Sequence, residues 1–231
     1  MKPNEVIAQN FNSFLQEHGN DSYKMLKIFF EEERGKFLKN KIDELCNSGE
    51  STEQAVIKAR QGWVSVIGRS LEIVVEELIK DFCAKNNLKI TNDKKLKSKN
   101  LSKELDLVKR ALLVHFGDNS VLPDCDIIIY RCEKGVPTIL AILSVKNSFR
   151  ERYTETPYWK LKLQESQVTK NIRVFMITPD NDDEISTKDA TKSRIVLEYE
   201  LDGVYMAKEE FDATEKVKGI EELISDLEKL L

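Results

Sequence analysis

Apolar residues in the first part of the chain recur three and four positions apart, which is the spacing of amphipathic helices. This spacing occurs in EVIAQNFNSFL and again in SYKMLKIFFEEERGKFLKNKIDELC. The second helix is expected to end near Gly49, because glycine is a usual residue at a helix C-terminus. The segment STEQ, from Ser51 to Gln54, matches a capping box that opens a third helix. That helix is predicted to continue through SLEIVVEELIKDFCAK, with a bend near QGW or Gly68.

The apolar pattern changes after about residue 120. Before that point, NNLKITNDKKLKSKN predicts a loop that can hold a short strand, and Ser102 is expected to cap a helix over KELDLVKRALLVHF. The compact β-branched runs DIIIYR and PTILAILSVK then follow, separated by CEKGV. Lys134 and Gly135 suit a tight turn, so the two runs predict an antiparallel β-hairpin.

The rest of the chain alternates between predicted helices and strands. A helix is expected over YWKLKLQESQVTK, starting after Pro157, followed by a buried strand in IRVFMIT. SRIVLEYELDGVYM predicts one strand or a second hairpin turning at Asp202 and Gly203, and KVKGIEELISDLEKLL predicts a terminal amphipathic helix. This order indicates an α/β protein with a central mixed β-sheet flanked by helices, preceded by a helical N-terminal region.

Composition places the chain among ordinary globular proteins, since 41% of its 231 residues are apolar and 33% are charged. Apolar runs such as ALLV and ILAIL are too short to cross a bilayer. The start, MKPNEVIAQNF, lacks the layout of a secretory signal. We therefore expect a cytoplasmic protein with no membrane partner.

Cysteine, histidine and overall charge narrow the chemistry further. The four cysteines are widely spread, so neither a disulfide framework nor a zinc site is indicated, and two histidines are little material for a histidine-based mechanism. The net charge of −4 argues against non-specific nucleic-acid binding as the main role. It does not exclude DNA, because binding depends on the face that meets phosphate. Residues 85–103 carry seven lysines against one acid, which fits either a solvated loop or a phosphate-binding segment.

Charged residues gather at the ends of the predicted hairpin. Asp124 and Asp126 precede the first strand, and Ser144 and Lys146 end the second. Residues two apart in an extended chain point to the same side. A turn near Gly135 pairs position 126 with about 144, so Asp126, Ser144 and Lys146 can converge. Carboxylates suit Mg²⁺, which activates water and polarises a phosphodiester, while an ammonium can position water or offset developing charge.

These residues resemble a known motif. PDCD…ILSVK resembles the PD-(D/E)xK nuclease motif, with Ser144 at the place of the usual acid. The SVK form resembles type II restriction endonucleases that recognise CCGG-containing or closely related sites. The resemblance covers roughly residues 68–178 and implies a restriction-endonuclease-like core over residues 67–231, with residues 1–66 as a helical region for dimerisation or clamping DNA.

The same group of enzymes carries an Arg–acid–Arg element just after the lysine. RER, formed by Arg150, Glu151 and Arg152, matches that element in order and offset. Arginine can contact guanine O6 and N7 in a bidentate manner, and glutamate can accept from cytosine N4. The resemblance therefore implies that RER binds DNA and reads a short run of G·C pairs, whereas the simpler interpretation is an exposed charged turn.

The remaining carboxylates of the expected site are less well defined. The family supplies the acid missing at Ser144 from the helix after the lysine, at a spacing that here reaches Trp159 and Lys160. Glu165 is the preferred substitute as catalytic residue and metal ligand, and Glu155 lies just before the helix. Glu72 resembles an acid that such nucleases bring from an earlier helix, but an exposed helix glutamate is an equal alternative. Asp126 ranks first as the motif aspartate, with Asp124 as a neighbour or second metal ligand.

The leading hypothesis is a Mg²⁺-dependent type II restriction endonuclease that cleaves duplex DNA at a short palindrome. A palindromic site requires two-fold symmetry, so a homodimer is implied. A PD-(D/E)xK repair or junction-resolving nuclease, which would not need RER, is the first alternative. A catalytically silent DNA-binding protein of the same fold is the second. Tyr158 and Trp159 could stack on bases, but core packing at a helix start is the preferred interpretation.

Overall fold

Three long helices make up the N-terminal part of the computed structural model, which describes residues 2–149, 153–189 and 191–231. They are α1 (Pro3–His18), α2 (Leu26–Asn47) and α3 (Thr52–Lys85), with a short 3-10 turn at Gly19–Tyr23. Ser51 caps α3 as predicted, since its side chain accepts a hydrogen bond from the Gln54 N–H at 3.3 Å. Gly49 has a φ of +98°, which glycine adopts without strain, and α2 ends just before it as predicted.

The rest of the chain forms shorter helices and two sheets. The helices are α4 (Asp93–Leu96), α5 (Lys103–Leu112), α6 (Glu155–Gln164), α7 (Lys192–Glu200) and α8 (Leu223–Glu228), with a 3-10 turn at Ile220–Glu222. The strands are β1 (Lys89–Thr91), β2 (Val114–Phe116), β3 (Asn119–Val121), β4 (Ile127–Glu133), β5 (Val136–Val145), β6 (Arg173–Thr178), β7 (Gly203–Met206) and β8 (Val217–Gly219).

The main sheet is mixed and has six strands in the order β1-β4-β5-β6-β7-β8. The first three strands pair antiparallel, and β5 through β8 pair parallel. The parallel arrangement places the ends of β5, β6 and β7 at one edge of the sheet. Strands β2 and β3 form a separate two-stranded hairpin. The expected mixed α/β fold is therefore confirmed.

Alternating residues of the strands fill two cores, one on each face of the sheet. Ile127 and Ile129 of β4 pack with α1, α2, α3 and α8, whereas Ile128 and Tyr130 pack with α5, α6 and α7. Both faces are covered, which explains the near-continuous apolar character of DIIIY and ILAIL. The N-terminal helices thus share a core with the sheet.

A bulge in the β4–β5 hairpin sets the register at its open end. Lys134 and Gly135 both have positive φ, as the predicted tight turn requires, and Glu133 pairs with Val136. From that pairing alone, residue 126 would oppose residue 143. The register shifts by one between Ile129 and Tyr130, so that Ile127 pairs with Leu143 and residue 126 aligns with Ser144. Since a shift of one residue exchanges the two faces of a strand, the bulge brings Asp126 to the side of Ser144 and Lys146.

The strand predicted over SRIVLEYE was wrong, because these residues form α7. Thr191 caps the helix by accepting a hydrogen bond from the Arg194 N–H at 3.1 Å. Arg194, Leu197 and Leu201 are buried, at a helical spacing that the β-branched residues of this segment obscure. Tyr199 is 79% exposed, although a buried strand would have covered it. Of the segment predicted as strand, only Gly203–Met206 forms one, which is β7.

Three helix boundaries also differ from the prediction. The helix over KELDLVKRALLVHF ends at Leu112, because the chain then turns at Gly117 in the β2–β3 hairpin. α6 begins at Glu155, two residues before Pro157, and ends at Gln164. A proline is tolerated there, since the first turn of a helix has no intrahelical use for its N–H. The C-terminal segment starts as strand β8, and its helix begins only at Leu223.

Two further points concern the chain as a whole. The boundary expected between regions 1–66 and 67–231 falls inside α3, which is continuous across it. Within the described ranges, no helix combines the length and apolar character needed to cross a membrane.

Candidate active site

The open end of the β4–β5 hairpin brings Asp126, Ser144 and Lys146 together, as the sequence predicted. Lys146 Nζ lies 3.5 Å from Asp126 Oδ2, and so does Ser144 Oγ. The Lys146 N–H donates to the Ile177 carbonyl at 3.0 Å, which fixes the lysine against β6. The side chains of Asp126 and Lys146 are 22% and 23% exposed, so the pair is partly buried yet reachable from solvent.

The carboxylate of Asp126 is oriented by the backbone of β5. Its Oδ2 accepts a hydrogen bond from the Val145 N–H at 2.8 Å, in addition to the longer contacts with Ser144 and Lys146. Among the described residues, no hydrogen bond reaches Oδ1. One oxygen is therefore held by the protein, while the other keeps its lone pairs for a ligand.

Asp124 faces a different partner, although it lies only two residues away. Its Oδ1 accepts from Lys97 Nζ at 2.9 Å, and the same ammonium contacts Asp93 Oδ2 at 2.6 Å. The side chain of Asp124 is 55% exposed. Burial raises the pKa of the intervening Cys125 thiol, and nearby Asp93, Asp126 and Asp124 raise it further. The structure thus brings Asp126, and not Asp124, to Lys146.

Glu155 is the carboxylate that the structure places beside Lys146 on the side of α6. Its Oε2 lies 3.8 Å from Lys146 Nζ, and its side chain is 36% exposed. Glu155 is the first residue of α6. The next residue, Thr156, is buried and its Oγ1 donates to Ser144 Oγ at 2.9 Å. The first turn of α6 is thereby attached directly to the end of β5.

Glu165, the preferred acid of the sequence prediction, lies at the other end of the same helix. It is the C-cap residue of α6, and its Oε1 accepts from Lys162 Nζ at 2.6 Å. Glu165 lies ten positions after Glu155, which corresponds to about 15 Å along the helix axis. The structure therefore does not bring Glu165 to Asp126 and Lys146. The expectation depended on a helix starting after Pro157, but α6 starts early enough to include Glu155.

The family spacing itself points to Lys160, whose side chain is buried. Its Nζ forms an ion pair with Asp202 and donates to the Ile172 carbonyl at 3.1 Å. These partners lie at the beginning of β6 and β7, away from the edge that carries Lys146. The position where the resemblance expects an acid thus holds a structural cation.

Glu72 lies on α3 and is 7% exposed. It is matched by two cations, since it pairs with Arg69 one turn earlier and with Lys94 of α4 at 3.1 Å. Glu76, one turn later, has a buried Oε1 with no hydrogen-bond partner among the described residues. Burial raises the pKa of Glu76, and Glu72 adds to this shift, against the opposing effect of Arg69, Lys95 and Lys94. Of these two neighbouring carboxyl groups, Glu72 is paired, whereas Glu76 Oε1 has no partner among the described residues.

The predicted DNA-reading residues Arg150, Glu151 and Arg152 lie outside the residues that the structure describes. Of the seven lysines in residues 85–103, those at positions 89, 94 and 97 are in ion pairs with acids. Tyr158 is 44% exposed, whereas Trp159 is partly buried against the second core, with its ring 5.1 Å from that of Tyr158.

Sequence reasoning missed two polar contacts that shape this edge. The first is the bond between Thr156 and Ser144, and the second joins the loops that follow β5 and β6. There, Asn181 Nδ2 donates to Asn147 Oδ1 at 3.0 Å. Thr156 carried a usable signal, because it directly follows Glu155, the alternative acid. The asparagine pair spans 34 residues and has no local signal.

The donor set is suited to a hard divalent cation. No group of three or more His, Cys, Asp or Glu side chains in the described ranges is arranged to hold a metal ion. Two carboxylates, Asp126 and Glu155, flank Lys146, and Asp126 Oδ1 is free of hydrogen bonds within the described chain. Mg²⁺ is commonly bound through one or two carboxylates, with water and substrate phosphate as the remaining ligands. The residues present therefore fit Mg²⁺ in a site completed by the substrate.

The structure thus places a lysine flanked by two carboxylates at the open end of a hairpin in a mixed sheet. The sequence model of the BsaWI restriction endonuclease type 2 family matches residues 104–228, more than half of the chain. The protein belongs to this family and is a type II restriction endonuclease, a DNA-cleaving hydrolase. This assignment supports the leading hypothesis over a repair nuclease or a silent DNA-binding protein.

Similar curated proteins agree with the family assignment. HpyAORF263P of Helicobacter pylori, which carries the name of a type II restriction enzyme, is 57% identical over 188 residues, covering 81% of this chain and 96% of the relative. MjaVIP of Methanocaldococcus jannaschii, named in the same class, is 46% identical over 222 residues, covering 94% and 96%. A solved complex of the pre-specific restriction endonuclease BsaWI with DNA aligns with 100% of this chain and 93% of that chain. Its TM-score of 0.49 and identity of 12% are too low to add to the assignment.

Proposed function

We propose that this enzyme hydrolyses phosphodiester bonds of double-stranded DNA in a Mg²⁺-dependent reaction, at a short palindromic site with a CCGG-like core. The main support for the catalytic part of this proposal is that carboxylate oxygens of Asp126 and Glu155 both lie within 3.8 Å of Lys146 Nζ. Glu155 takes the role that the sequence prediction gave to Glu165, because only Glu155 reaches this group.

Each residue of the site has a separate task in the proposed reaction. Asp126 and Glu155 hold Mg²⁺, which, when bound, polarises the scissile phosphate and lowers the pKa of water. The Val145 N–H keeps Oδ2 of Asp126 engaged, so that Oδ1 is presented to the ligand. Lys146 donates hydrogen bonds to the attacking water or to the phosphate oxygens, and its charge offsets the negative charge that develops there.

The acids around α4 have a supporting task. Glu72 and Asp124 are already matched by Lys94 and Lys97, so we propose that they hold these lysines beside the site instead of binding metal. The other lysines of residues 85–103 then contact the DNA phosphates, and they position the duplex without reading its sequence.

Sequence reading is proposed for Arg150, Glu151 and Arg152. Arg150 follows Lys146 by four residues. The residue types match guanine and cytosine edges in the major groove, as the family resemblance implies. Base-reading residues so near the catalytic lysine would fix the position of the cut relative to the recognised bases.

A palindromic site is read by two equivalent subunits, so we propose a homodimer in which the helical region 1–66 contributes the contact or clamps DNA. We propose that the enzyme encounters its substrate, incoming duplex DNA, in the cytoplasm.

The test is cleavage of plasmid DNA by the protein and a Lys146→Ala variant in the presence of Mg²⁺. The parent should give discrete fragments whose sequenced ends share one palindrome with a CCGG-like core. Lys146→Ala should cut at least about 10²-fold more slowly, because it removes a charged donor at the transition state. Lys170→Ala is the matched control, since Lys170 is exposed and lies beyond the opposite edge of the sheet.

Each part of the proposal has its own contradicting result. Discrete fragments whose ends lack a G·C core would remove the site assignment and leave the chemistry intact. Cleavage that needs another divalent metal and fails with Mg²⁺ would remove the metal assignment. Equal rates for Lys146→Ala and Lys170→Ala would show that this cluster is not the catalytic site.

A further inference from the structure

Ser144 stands where the PD-(D/E)xK motif usually has an acid, and its hydroxyl accepts a hydrogen bond from Thr156. Both side chains are buried, at 4% and 6% exposure. Thr156 Oγ1 donates to Ser144 Oγ at 2.9 Å, and Ser144 Oγ in turn lies 3.5 Å from Asp126 Oδ2. The two hydroxyls form a short chain that runs from α6 through β5 to the aspartate of the site.

This chain connects α6, which carries Glu155, to Asp126, which directly precedes β4. Glu155 is the residue directly before Thr156, and α6 begins with it. Within the described part of the chain, the N-cap residue Thr154 makes no side-chain capping hydrogen bond to the first turn of α6. The bond from Thr156 to Ser144 is therefore a tether that fixes where this turn sits relative to β5.

We propose that Thr156, acting through Ser144, is a positioning residue that holds Glu155 within reach of Lys146 and the metal. The inference rests on the proposed function, in which Glu155 supplies the acid missing at position 144. A serine at that position is then more than a lost carboxylate, because its hydroxyl accepts the tether of the helix that carries the replacement. The proposed device therefore has two parts: Ser144 at the end of β5, and Glu155 with Thr156 at the start of α6.

Burial makes the tether effective. Water cannot replace the Thr156 hydroxyl at a site with so little exposure, so its removal leaves Ser144 Oγ without its donor. A catalytic group displaced by about 1 Å can cost about 10²-fold in rate. Loss of the hydroxyl should therefore affect catalysis and metal use before it affects DNA binding.

The experiment compares Thr156→Val, which keeps the shape and removes the hydroxyl, with Thr156→Ser, which keeps the hydroxyl. Thr156→Val should lower kcat by about 10- to 100-fold and raise the Mg²⁺ concentration for half-maximal rate, with KM for DNA changed by less than about twofold. Thr156→Ser should recover most of the rate and the parental Mg²⁺ requirement.

Thr169→Val supplies the matched control. Thr169 is also buried, and its hydroxyl donates to the Leu163 carbonyl at the other end of α6. Thr169→Val should lower thermal stability about as much as Thr156→Val while leaving kcat and the Mg²⁺ requirement unchanged. A purely structural role for Thr156 predicts that the two variants behave alike, and that result would overturn the proposal.

Glu155→Gln separates this inference from the proposed function. If Glu155→Gln is inactive while Thr156→Val matches the parent in kcat and Mg²⁺ requirement, the tether is wrong and the acid assignment stands. If Glu155→Gln cuts at the parental rate, the acid assignment fails first, and the tether has no catalytic group to position.

Discussion

The helix α6 contributes to two lysine–carboxylate clusters that differ in almost every physical respect. At its start, Glu155 approaches Lys146, whose Nζ is 3.8 Å from Glu155 Oε2 and 3.5 Å from Asp126 Oδ2. In its middle, Lys160 pairs with Asp202, with side-chain exposures of 4% and 13%. The first cluster is partly open with long contacts, and the second is closed.

The closed cluster shows what a purely structural ion pair looks like in this protein. Asp202 accepts hydrogen bonds from Arg173 at 2.7 Å and from the Val174 N–H at 2.8 Å, in addition to Lys160. Burial alone would raise the pKa of Asp202, but the hydrogen bonds from Lys160, Val174 and Arg173 hold it below its usual value. Its oxygens are thus taken up by protein donors, as a buried charge requires.

The open cluster lacks this saturation. Asp126 has one oxygen engaged by the protein, and Glu155 contacts Lys146 only at 3.8 Å. Groups left so loosely paired gain little stability from each other and keep the capacity to bind a cation or water. The number of protein donors on each carboxylate, and not the presence of a lysine, therefore distinguishes the open cluster from the closed one.

The largest expected effect is the one that breaks the open cluster. Glu155→Gln should slow DNA cleavage by about 10³-fold, because loss of a proposed metal ligand would remove several kcal/mol of transition-state stabilisation. Glu165→Gln is the matched control at the other end of α6, and it should cut at nearly the parental rate. Initial rates on a plasmid carrying one site measure both variants.

The outcome of that pair also decides between the two acids. A large loss for Glu165→Gln with a mild one for Glu155→Gln would return the role to Glu165. Such a result would mean that α6 moves by most of its length when DNA binds.

The closed cluster should respond in stability and not in chemistry. Lys160→Met keeps the volume and removes the charge, which leaves Asp202 buried with fewer donors. The free energy of unfolding should fall by about 3 kcal/mol, the scale for breaking a buried pair by removing one partner. Denaturant unfolding measures this loss. At a temperature where the variant is fully folded, its cleavage rate should equal that of the parent.

Arg173→Met provides the control on the same aspartate. Arg173 is 54% exposed, so its contact with Asp202 should be worth less than about 1 kcal/mol. If Lys160→Met retained stability but lost cleavage, the distinction between a functional and a structural cluster on α6 would fail.

Much of the fold was predictable where local signals agreed. The helix start at Ser51, the end of α2 near Gly49 and the turn at Lys134 and Gly135 follow from capping and turn chemistry acting within a few residues. The segment that became α7 failed because its β-branched residues favour a strand locally. The segment forms a helix because Arg194 and Leu197 are buried against the rest of the protein, and these tertiary contacts cannot be read from the local sequence.

The candidate site divides in the same way. Convergence of Asp126 and Lys146 was predictable from alternation along a hairpin, but the bulge at Ile129 and Tyr130, which sets the facing residues, was not. Glu155 was named only as the alternative acid, since the start of α6 could not be placed to within two residues. The role proposed for Thr156 depends on its contact with Ser144, 12 residues away in the chain, which no local pattern reveals.

Glu76 of α3 is a third carboxylate, and it differs from the other two because it is buried with too few partners. Its Oε1 is buried with no partner in the described part of the chain, and burial is the largest cause that raises its pKa above the ordinary 4.5. A carboxyl group whose pKa is raised by folding binds more protons in the folded than in the unfolded state. Its ionisation therefore destabilises the fold as the pH rises above its pKa in the unfolded chain.

Glu76→Gln, which cannot ionise, should therefore stabilise the protein by about 1 kcal/mol near pH 8. The gain should vanish below about pH 4.5, where both chains carry a neutral group. Thermal unfolding of the two proteins between pH 4 and pH 8 measures the difference, with Glu77→Gln at an exposed neighbouring position as the control. A stability gain that is the same at every pH would show that packing of the amide, and not the cost of a buried charge, is responsible.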